Sequence, residues 1–399
     1  MSACRFNKIN KKTIKINNMK NKICSRCIYD SSIPQIEFDE NGECNYCKMS
    51  DDLAKMYSTG KPEGYKEFDK ILNEIKAKGK GKKYDCVIGA SGGTDSSFML
   101  HLAVKEWGLR PLAVHYDNTW NTSFATENIR KVTTKLNIDL YTHVIDNKES
   151  DDIIKSFLKS GVAEIDAPTD LAFAEVHYRA ASKYGIKYVL EGHTFMEEGV
   201  SPLGNTYFDG KYIKSIHKQF GSIPMKTYPL MTFVSFMKWL LIYRIKKIRP
   251  YWYINFTKKN AQKILEKEYG WKYYGGHHLE NRISAFNHSI YFPQKYNIDQ
   301  RNNTLSALSR SGAMDRDEAI KKYSAPPFVE PDLVNYFKKR LNFSDEEYDS
   351  IINGEHKTYK DYPTYKKRFE KLRPLFYLLA KANLVPMSFY IKYTSKTEI

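Results

Sequence analysis

The chain has 399 residues, of which 42% are hydrophobic, so it is long enough for two domains and can bury a sizeable core. Its net charge of +17 is unevenly placed: residues 1–22 carry seven Lys or Arg and residues 211–265 carry twelve, with no acid in either stretch. The remainder is close to neutral, which argues against a protein built to bind nucleic acid. The basic N-terminus is not followed by an apolar stretch, so no secretory signal is indicated and we expect a cytoplasmic protein.

Residues 1–22 are predicted to form a basic disordered tail, and residues 23–50 a zinc-binding module. Four cysteines of the module fall into two Cys-x2-Cys pairs with sixteen residues between them: Cys24, Cys27, Cys44 and Cys47. Each pair can present two thiolates to one ion, and a turn at residues 39–42 brings the pairs together. We expect structural Zn²⁺, because four thiolates leave no open coordination position. An iron–sulfur or redox role and free thiols are the alternatives.

Residues 51–225 are predicted to form an α/β domain with a doubly wound parallel sheet. An apolar strand over residues 84–90 leads into a glycine loop at residues 91–97, and a helix over residues 98–107 follows. This order makes a phosphate cradle, because glycines let the backbone approach oxygens and a helix N-terminus attracts anions. No Gly-Lys-Ser/Thr follows, so the loop is not a Walker loop. The residues predicted to bind a nucleotide here are Ala90, Ser91, Gly92, Gly93, Thr94, Asp95, Ser96 and Ser97.

Further strands and helices alternate after the loop, which is the pattern of a parallel sheet with crossover helices. The sequence predicts strands over residues 110–116, 139–145 and 187–190, and helices over residues 124–136 and 169–184. Thr169 is expected to cap the last of these helices.

Polar residues at the strand ends are further candidates for the site. Ligands of such sheets bind beyond the carboxyl ends of the strands, which places Asp117 near the nucleotide; a simple turn aspartate is the alternative. After the fourth strand, Gly192 is expected beside the nucleotide, and His193 and Glu197 are expected to polarise the substrate or bind metal. A histidine at a helix start and solvated carboxylates are the alternative for these two residues.

The glycine loop resembles the Ser-Gly-Gly-x-Asp-Ser motif of the PP-loop ATP pyrophosphatases, whose fold is adenine nucleotide alpha-hydrolase-like. The resemblance implies that the loop holds the pyrophosphate that leaves ATP and that Asp95 helps to bind Mg²⁺. The stretch from Gly192 to Glu197 resembles the Gly-His-x-x-x-Asp/Glu stretch found at the corresponding strand end in several of these enzymes. Asp95, His193 and Glu197 are therefore the predicted catalytic residues.

Two more regions resemble the bacterial N-acetyl sugar amidotransferases of O-antigen and nonulosonic-acid biosynthesis. One is Cys-x2-Cys-x-Tyr-Asp followed by Ile-Glu-Phe-Asp-Glu-Asn-Gly-x-Cys-x-Tyr-Cys, directly ahead of the glycine loop. The other is Trp271-x2-Tyr-Gly-Gly-His-His-Leu-Glu-Asn-Arg, continued by Ile298-Asp-Gln-Arg and Ser311-Gly-x-Met-x-Arg-Asp-Glu-Ala. The chain departs from many members of that family after the fourth strand, where Glu191-Gly192-His193 replaces a Gly-Glu-Asn stretch.

This resemblance implies an ATP-dependent enzyme that turns the acetamido group of an N-acetyl sugar or nucleotide sugar into an acetamidino group. The amide oxygen would attack the α-phosphorus of ATP, pyrophosphate would leave, and ammonia from a glutaminase partner would displace AMP. The polar residues expected near the sugar are His277, His278, Glu280 and Arg282. A helix with polar surface residues is the alternative for this group.

Residues 226–399 are predicted to form a helical region that binds substrate or partner. Within it, the segment 230–249 is apolar and ends in several basic residues. We expect a buried helix with a solvated basic end; peripheral contact with the inner membrane and a docking face for the glutaminase are the alternatives.

A different class of enzyme competes with the sugar amidotransferase. A tRNA-modifying PP-loop enzyme would adenylate a base carbonyl and deliver sulfur or an amine, and zinc cysteines and basic surfaces occur there too. Such thiolases commonly need catalytic cysteines beyond their zinc ligands, whereas Cys86 is predicted to lie buried in a strand and Cys4 lies in the tail. A non-enzymatic scaffold is disfavoured because the glycine loop is intact.

Overall fold

The computed structural model describes residues 22–199, 207–275 and 279–396. The predicted tail apart from Lys22, and the substrate candidates His277 and His278, lie outside these residues.

Within the described residues, the centre of the fold is a five-stranded sheet. Its strands are β1 Cys86–Gly89, β2 Pro111–Asp117, β3 Leu140–Val144, β4 Tyr188–Leu190 and β5 Lys246–Ile248. Every neighbouring pair is parallel, and the order across the sheet is β3-β2-β1-β4-β5. The predicted doubly wound parallel sheet is confirmed, and the strand order reverses at β1, which lies between β2 and β4.

Helices surround the sheet and make up most of the remaining described fold. In the first part of the chain they are α1 Asn45–Tyr57, α2 Pro62–Gly79, α3 Thr94–His101, α4 Ser123–Leu136, α5 Asn147–Ser160, α6 Ala167–Lys183 and α7 Gly210–Phe220. In the second part they are α8 Phe233–Met237, α9 Lys258–Tyr269, α10 Arg282–Phe286, α11 Arg301–Arg310, α12 Arg316–Ser324, α13 Leu333–Leu341, α14 Asp345–Asn353, α15 Lys366–Lys371, α16 Arg373–Lys381 and α17 Met387–Thr394. Short π-helical segments extend three of them at Leu102–Glu106, Lys238–Ile242 and Asn287–Tyr296. The predicted helical C-terminal region is thus confirmed.

Each face of the sheet has its own core, because alternate residues of β1 point to opposite sides. Val87 belongs to the apolar cluster that includes residues of α5, α6 and α7. Cys86 and Ile88 belong to the cluster that includes residues of α2, α3, α4 and α9. Cys86 is fully buried there, as predicted, and burial raises the pKa of its thiol.

Two helix starts differ from the prediction. The helix α3 begins at Thr94, so the second half of the glycine loop already forms its first turn. The helix α6 begins at Ala167 with Pro168 in its first turn, and Thr169 therefore lies inside the helix rather than capping it. A proline fits this position because its fixed φ is helical and the first turn needs no N–H donor.

The segment 230–249 is not the single helix that its sequence predicts. The helix α8 and its π-helical extension end at Ile242, and residues 246–248 form the edge strand β5. The sheet therefore continues beyond residue 225, where the α/β domain was predicted to end. Lysines are compatible with this strand because Lys246 Nζ lies 3.3 Å from Glu74 Oε2 and Lys247 Nζ lies 2.6 Å from Glu191 Oε1. Of the helices that the structure describes, none combines the length and hydropathy that a membrane crossing requires.

Candidate functional site

A cavity of about 1150 Å³ lies at the carboxyl ends of the central strands. Ala90 follows β1, Asn118 follows β2, Glu191 follows β4 and Arg249 follows β5, and all four line the cavity. This is the edge of the sheet at which the strand order reverses, and ligands of doubly wound sheets bind there.

Contacts with α4 and with Trp271 hold the glycine loop in place. Gly92 has φ +82°, and a Cβ at this position would lie 2.3 Å from the carbonyl oxygen of Ala125 in α4. The carbonyl oxygen of Gly92 accepts hydrogen bonds from Trp271 Nε1 at 3.0 Å and from Asn128 Nδ2 at 3.3 Å. Only glycine can adopt this conformation so close to another backbone without strain. Asn128 fixes the loop against α4, and Trp271 fixes it against the chain that follows α9.

Seven of the predicted nucleotide-binding residues line the cavity: Ala90, Ser91, Gly93, Thr94, Asp95, Ser96 and Gly192. Ser91 Oγ and Ser96 Oγ lie 3.1 Å apart, and Ser91 Oγ accepts a hydrogen bond from the backbone N–H of Gly93 at 3.2 Å. Hydroxyls and the first N–H groups of α3 therefore stand together at the helix N-terminus, where an anion is favoured.

Three predicted nucleotide contacts lie elsewhere. Gly92 and Ser97 are buried and do not line the cavity. The carboxylate of Asp117 also stays outside, because its Oδ1 accepts hydrogen bonds from the backbone N–H of Thr119 at 2.8 Å and from Asn121 Nδ2 at 3.3 Å. Asp117 is thus the turn aspartate that was the alternative interpretation.

Asp95 is part of a cluster of one lysine and three carboxylates. Lys258 Nζ, at the start of α9, lies 3.0 Å from Asp95 Oδ2 and 3.0 Å from Glu198 Oε1. Glu197, which lines the cavity as predicted, accepts a hydrogen bond from the backbone N–H of Lys258 at 2.9 Å. One ammonium group therefore bridges two carboxylates at the mouth of the glycine loop, a place where a divalent cation finds the oxygen ligands it prefers.

The protonation of Asp95 is finely balanced. Burial raises its pKa to about 7, with Lys258 opposing the rise and Glu198 adding to it. Among the described residues, the buried Oδ1 of Asp95 has no hydrogen-bond partner. A buried carboxylate oxygen without a partner is costly unless a ligand satisfies it, so this atom is available to a bound cation.

His193 lines the cavity as a neutral imidazole. Burial and then Arg249 lower its pKa to about 4. Its Nδ1 accepts a hydrogen bond from Trp252 Nε1 at 3.4 Å, which leaves the proton on Nε2. Nε2 faces Glu198 Oε2 at 3.9 Å. His193 is therefore a hydrogen-bond donor to the cavity at physiological pH, rather than a cation.

An ion-paired trio lies between the ends of β4 and β5. Glu191 Oε1 lies 2.6 Å from Lys247 Nζ, and Glu191 Oε2 lies 3.1 Å from Arg249 Nε. Burial opposes the ionisation of Glu191, but the two cations outweigh it and lower the pKa of the carboxyl well below its usual range. Arg249 also donates to Ser388 Oγ at 2.6 Å, which ties the C-terminal helices to the site.

Residues after position 270 form a further part of the cavity wall, next to the glycine loop. The hydroxyl of Tyr274 is hydrogen-bonded to the carboxylate of Glu280, and both groups lie beside Gly93. Glu280, one of the predicted substrate residues, lines the cavity together with Asn281. Arg282 does not line it: it pairs with Glu330 at 3.4 Å and its guanidinium lies over the ring of Tyr336.

The four cysteines of the N-terminal module form one buried cluster. The Sγ separations are 3.9 Å for Cys24–Cys47, 3.7 Å for Cys27–Cys44 and 3.6 Å for Cys44–Cys47. All four sulfurs lie within 4.8 Å of one another, which is a set that can hold a metal ion. The sequence prediction that the two pairs meet is confirmed.

Sequence reasoning missed several residues of the site, because no motif marks them. Lys258 and Glu198 carry no motif, and Lys247 belongs to a segment that was predicted to be helical. His115 is another: one ring nitrogen lies 2.7 Å from the carbonyl oxygen of Ala90, so it supports the end of β1. The aromatic residue Trp271 was part of the quoted motif, but nothing in that motif showed that it holds Gly92.

Two family models match the chain. The phosphoadenosine phosphosulfate reductase domain, which belongs to the PP-loop superfamily, matches residues 85–244. The C-terminal domain described as "LPS biosynthesis protein WbpG-like" matches residues 280–373. Similarity to a PP-loop domain thus extends over residues 85–244, and similarity to a WbpG-like domain over residues 280–373. The predicted resemblance to the N-acetyl sugar amidotransferases is thereby confirmed, and members of the PP-loop superfamily are ATP-using enzymes.

Individual proteins that are similar to this chain are distant from it. An uncharacterized protein of Methanocaldococcus jannaschii is 30% identical over 175 residues, which cover 43% of this chain and 58% of that protein. The U34-tRNA thiolase NcsA from Methanococcus maripaludis, solved with its [4Fe-4S] cluster, is 14% identical with a TM-score of 0.31, over 82% of this chain and 90% of that one. The NMN synthetase from Francisella tularensis is 18% identical with a TM-score of 0.26, over 52% and 86%. These structural likenesses are too weak to support a functional argument.

Proposed function

We propose that the protein uses ATP to convert the acetamido group of an N-acetyl sugar, free or nucleotide-linked, into an acetamidino group. The biological setting that we propose is bacterial surface-polysaccharide biosynthesis. The observation that carries the proposal is the composition of the cavity. The PP-loop lines one part of the cavity, and the WbpG-like region lines another part with Glu280, Asn281, Ser284, Thr304, Leu308 and Met314.

The chemistry needs a group that turns an amide oxygen into a leaving group. In the first step the amide oxygen forms a bond to the α-phosphorus of ATP, and the bond from that phosphorus to the β-phosphate bridge breaks, releasing pyrophosphate. In the second step the nitrogen of ammonia bonds to the amide carbon, a proton is lost, and AMP leaves with the original oxygen. The N–H groups at the start of α3 and the hydroxyls of Ser91 and Ser96 are suited to bear the charge that develops on the pyrophosphate.

The residues present fit a magnesium–nucleotide complex. Asp95 supplies a buried oxygen without a partner among the described residues, and Glu198 supplies a second carboxylate close by. Mg²⁺ bound here would neutralise phosphate charge during the departure of pyrophosphate. The neutral His193 would donate a hydrogen bond, and Lys258 is long enough to exchange its carboxylate partners for phosphate oxygens.

The residues of the cysteine cluster fit a structural zinc ion. Tetrahedral Zn²⁺ with bonds of about 2.3 Å to sulfur separates its ligands by about 3.8 Å. The three closest Sγ pairs lie between 3.6 and 3.9 Å apart. Four protein ligands close the coordination shell, so the ion would stabilise the module and take no part in the reaction.

Ammonia is proposed to come from a glutaminase partner. The sequence carries no Gly-x-Cys-x-Gly nucleophile elbow, and the described cysteines are the four of the cluster and the buried Cys86. The same observation disfavours a tRNA-thiolating enzyme, the second candidate, because Cys86 does not line the cavity and no other described cysteine is available to carry sulfur.

The test is pyrophosphate release with Mg-ATP and ammonium, using a panel of UDP- and CMP-linked N-acetyl sugars and bulk tRNA as acceptors. We expect release that depends on one sugar, with a product in which NH has replaced an oxygen atom by mass spectrometry. Asp95→Asn should abolish release, whereas Asp117→Asn is the matched control, because that carboxylate lies outside the cavity. Release with tRNA and with none of the sugars would overturn the proposal in favour of RNA modification.

A further inference from the structure

Five large apolar side chains are exposed on two neighbouring helical segments. Val234 is 75% exposed and Ile242 is 72% exposed, on α8 and its π-helical extension, and Leu241 lies beside them. Leu378 is 65% exposed on α16, next to Tyr377. We infer that these residues, called here the apolar–basic patch together with the basic residues around them, dock on an anionic lipid surface.

The two segments of the patch are packed together. The ring centroids of Phe236 and Phe376 lie 6.4 Å apart, and those of Phe233 and Phe369 lie 5.6 Å apart. The guanidinium of Arg368, on α15, lies over the ring of Phe233. The inward faces of these helices therefore share one aromatic core, and their outward residues form neighbouring parts of the same side of the molecule.

Charge identifies the kind of surface that fits. Residues 211–265 carry twelve basic residues and no acid, and residues 366–396 carry eight basic residues and one acid. That acid, Glu370, is paired with Lys366 at 3.5 Å. Four of the twelve basic residues pair with acids outside the patch and do not contribute to its charge: Lys246, Lys247, Arg249 and Lys258. Residues 23–210 and 266–365 together carry 36 basic and 44 acidic residues. The positive charge of the described fold is therefore concentrated in residues 211–265 and 366–396.

The combination of exposed apolar and exposed basic side chains favours an anionic lipid surface over a nucleic acid. Exposed lysines and arginines lie in the same two stretches of chain as the apolar side chains: Lys238, Arg244, Lys367, Arg368, Lys371, Arg373 and Lys381. A polyanion in water would satisfy these cations but leave the aliphatic side chains exposed. An anionic bilayer interface satisfies both, because acyl chains receive the aliphatic groups and headgroup phosphates receive the cations.

Vesicle flotation of the full chain tests the inference. We expect the protein to float with vesicles of phosphatidylglycerol and phosphatidylethanolamine, to float far less with phosphatidylcholine, and to be released by high salt. The double variant Ile242→Asp, Leu378→Asp should lower the bound fraction about ten-fold, since two aliphatic anchors are lost. Phe328→Asp is the control, because Phe328 is also strongly exposed but lies outside the patch.

Each outcome of the flotation experiment has a different meaning. An unchanged thermal unfolding midpoint confirms that the double variant is folded. Failure of the wild-type protein to float with the anionic vesicles overturns the inference, and so does equal loss of binding by the Phe328→Asp control. Binding that the double variant retains in full would show that charge alone is responsible, which also contradicts docking through the apolar residues.

A separate observation connects the cysteine module to the nucleotide site. The hydroxyl of Tyr29 donates to Asn303 Oδ1 at 2.5 Å, and Asn303 Nδ2 donates to the carbonyl oxygen of Glu198 at 2.8 Å. We propose that Tyr29 and Asn303 are positioning residues that hold the 194–199 turn, and with it Glu198, opposite Asp95. This proposal rests on the proposed function, because it assumes that Mg-ATP binds at Asp95.

The geometry leaves little freedom in this connection. Tyr29 is almost fully buried, its ring is edge-on to Tyr46, and the guanidinium of Arg310 lies over it. At the other end, a Cβ on Gly199 would lie 2.7 Å from Asn303 Oδ1, so the turn passes directly against the amide. A displacement of Tyr29 would therefore move Asn303 and the turn with it.

Affinity for a non-hydrolysable ATP analogue with Mg²⁺, measured by calorimetry, tests the positioning role. Tyr29→Phe removes one hydrogen bond and is expected to lower the affinity for the analogue about five-fold. Asn303→Ala should lower it at least as much. Tyr46→Phe is the matched control, because Tyr46 is as buried but its hydroxyl donates to Pro34 O, within the module and away from the site.

The outcomes distinguish this proposal from the proposed function. If the wild-type protein binds no Mg²⁺–nucleotide, the proposed function fails. If the wild type binds and Tyr29→Phe binds equally well, the positioning role fails. If Tyr46→Phe lowers the affinity for the analogue as much as Tyr29→Phe does, general destabilisation of the module causes the effect. The positioning role is then also refuted.

Discussion

Replacement of Gly92 by alanine isolates the steric demand of the PP-loop. Gly92 and Gly81 both have positive φ, +82° and +75°, so alanine at either position should cost about 1–2 kcal/mol of folding free energy. At Gly81 nothing lies within 4 Å of the added Cβ, whereas at Gly92 the Cβ would lie 2.3 Å from Ala125 O. That oxygen belongs to the backbone of α4 and cannot rotate away. The loop or the helix must shift by roughly 1 Å, which adds about 1–3 kcal/mol.

We therefore expect Gly92→Ala to lower the free energy of unfolding clearly more than Gly81→Ala does, and to impair nucleotide binding as well. Urea unfolding followed by tryptophan fluorescence measures the first effect, because Trp271 contacts the Gly92 carbonyl. Titration with a fluorescent ATP analogue measures the second effect. Equal destabilisation by the two variants, with nucleotide affinity retained by Gly92→Ala, would refute the claim that contact with α4 fixes the loop.

Three further predictions concern the charged groups and the metal. Because the pKa of Asp95 is raised to about 7, the carboxyl is largely protonated below that pH, so Mg²⁺–nucleotide affinity should strengthen as the pH rises through this value; Asp95→Asn should remove that dependence in calorimetry. Glu280→Gln should reduce turnover strongly and Arg282→Ala only slightly, in the pyrophosphate assay, because only Glu280 lines the cavity. Cys24→Ser should abolish the bound metal measured by elemental analysis and lower the thermal midpoint, while Cys86→Ser should leave the metal content unchanged.

The PP-loop and the cysteine pairs were predictable because their chemistry is local in sequence. A strand, a glycine pair and a helix within about twenty residues leave few ways to fold, so the cradle at Ser91 and its start on α3 follow from the pattern alone. Spacing likewise brought Cys24 and Cys47 together without further information. The structure places the Asp117 carboxylate outside the cavity, where it accepts a hydrogen bond from Thr119 N–H. The sequence could not show this, because position at a strand end does not determine the direction of a side chain.

The rest of the site depends on contacts that sequence patterns do not encode. Glu198 and Lys258 are sixty residues apart in the sequence, and Asp95 lies further from both of them. Nothing in the sequence around any of the three residues predicts that they meet. The clearest case is β5. From the sequence alone, the basic residues Lys246, Lys247 and Arg249 suggest a solvated helix end, because the sequence does not show which acids they pair with. Once Glu191 is seen to pair with Lys247 and Arg249, the same charges become a reason for the strand to join the sheet. The edge strand β5, the partly buried Glu191 that follows β4 and the cavity wall are therefore linked by these ion pairs. A Glu191→Gln substitution, which leaves two cations unpaired, should then loosen β5 and the nucleotide site together.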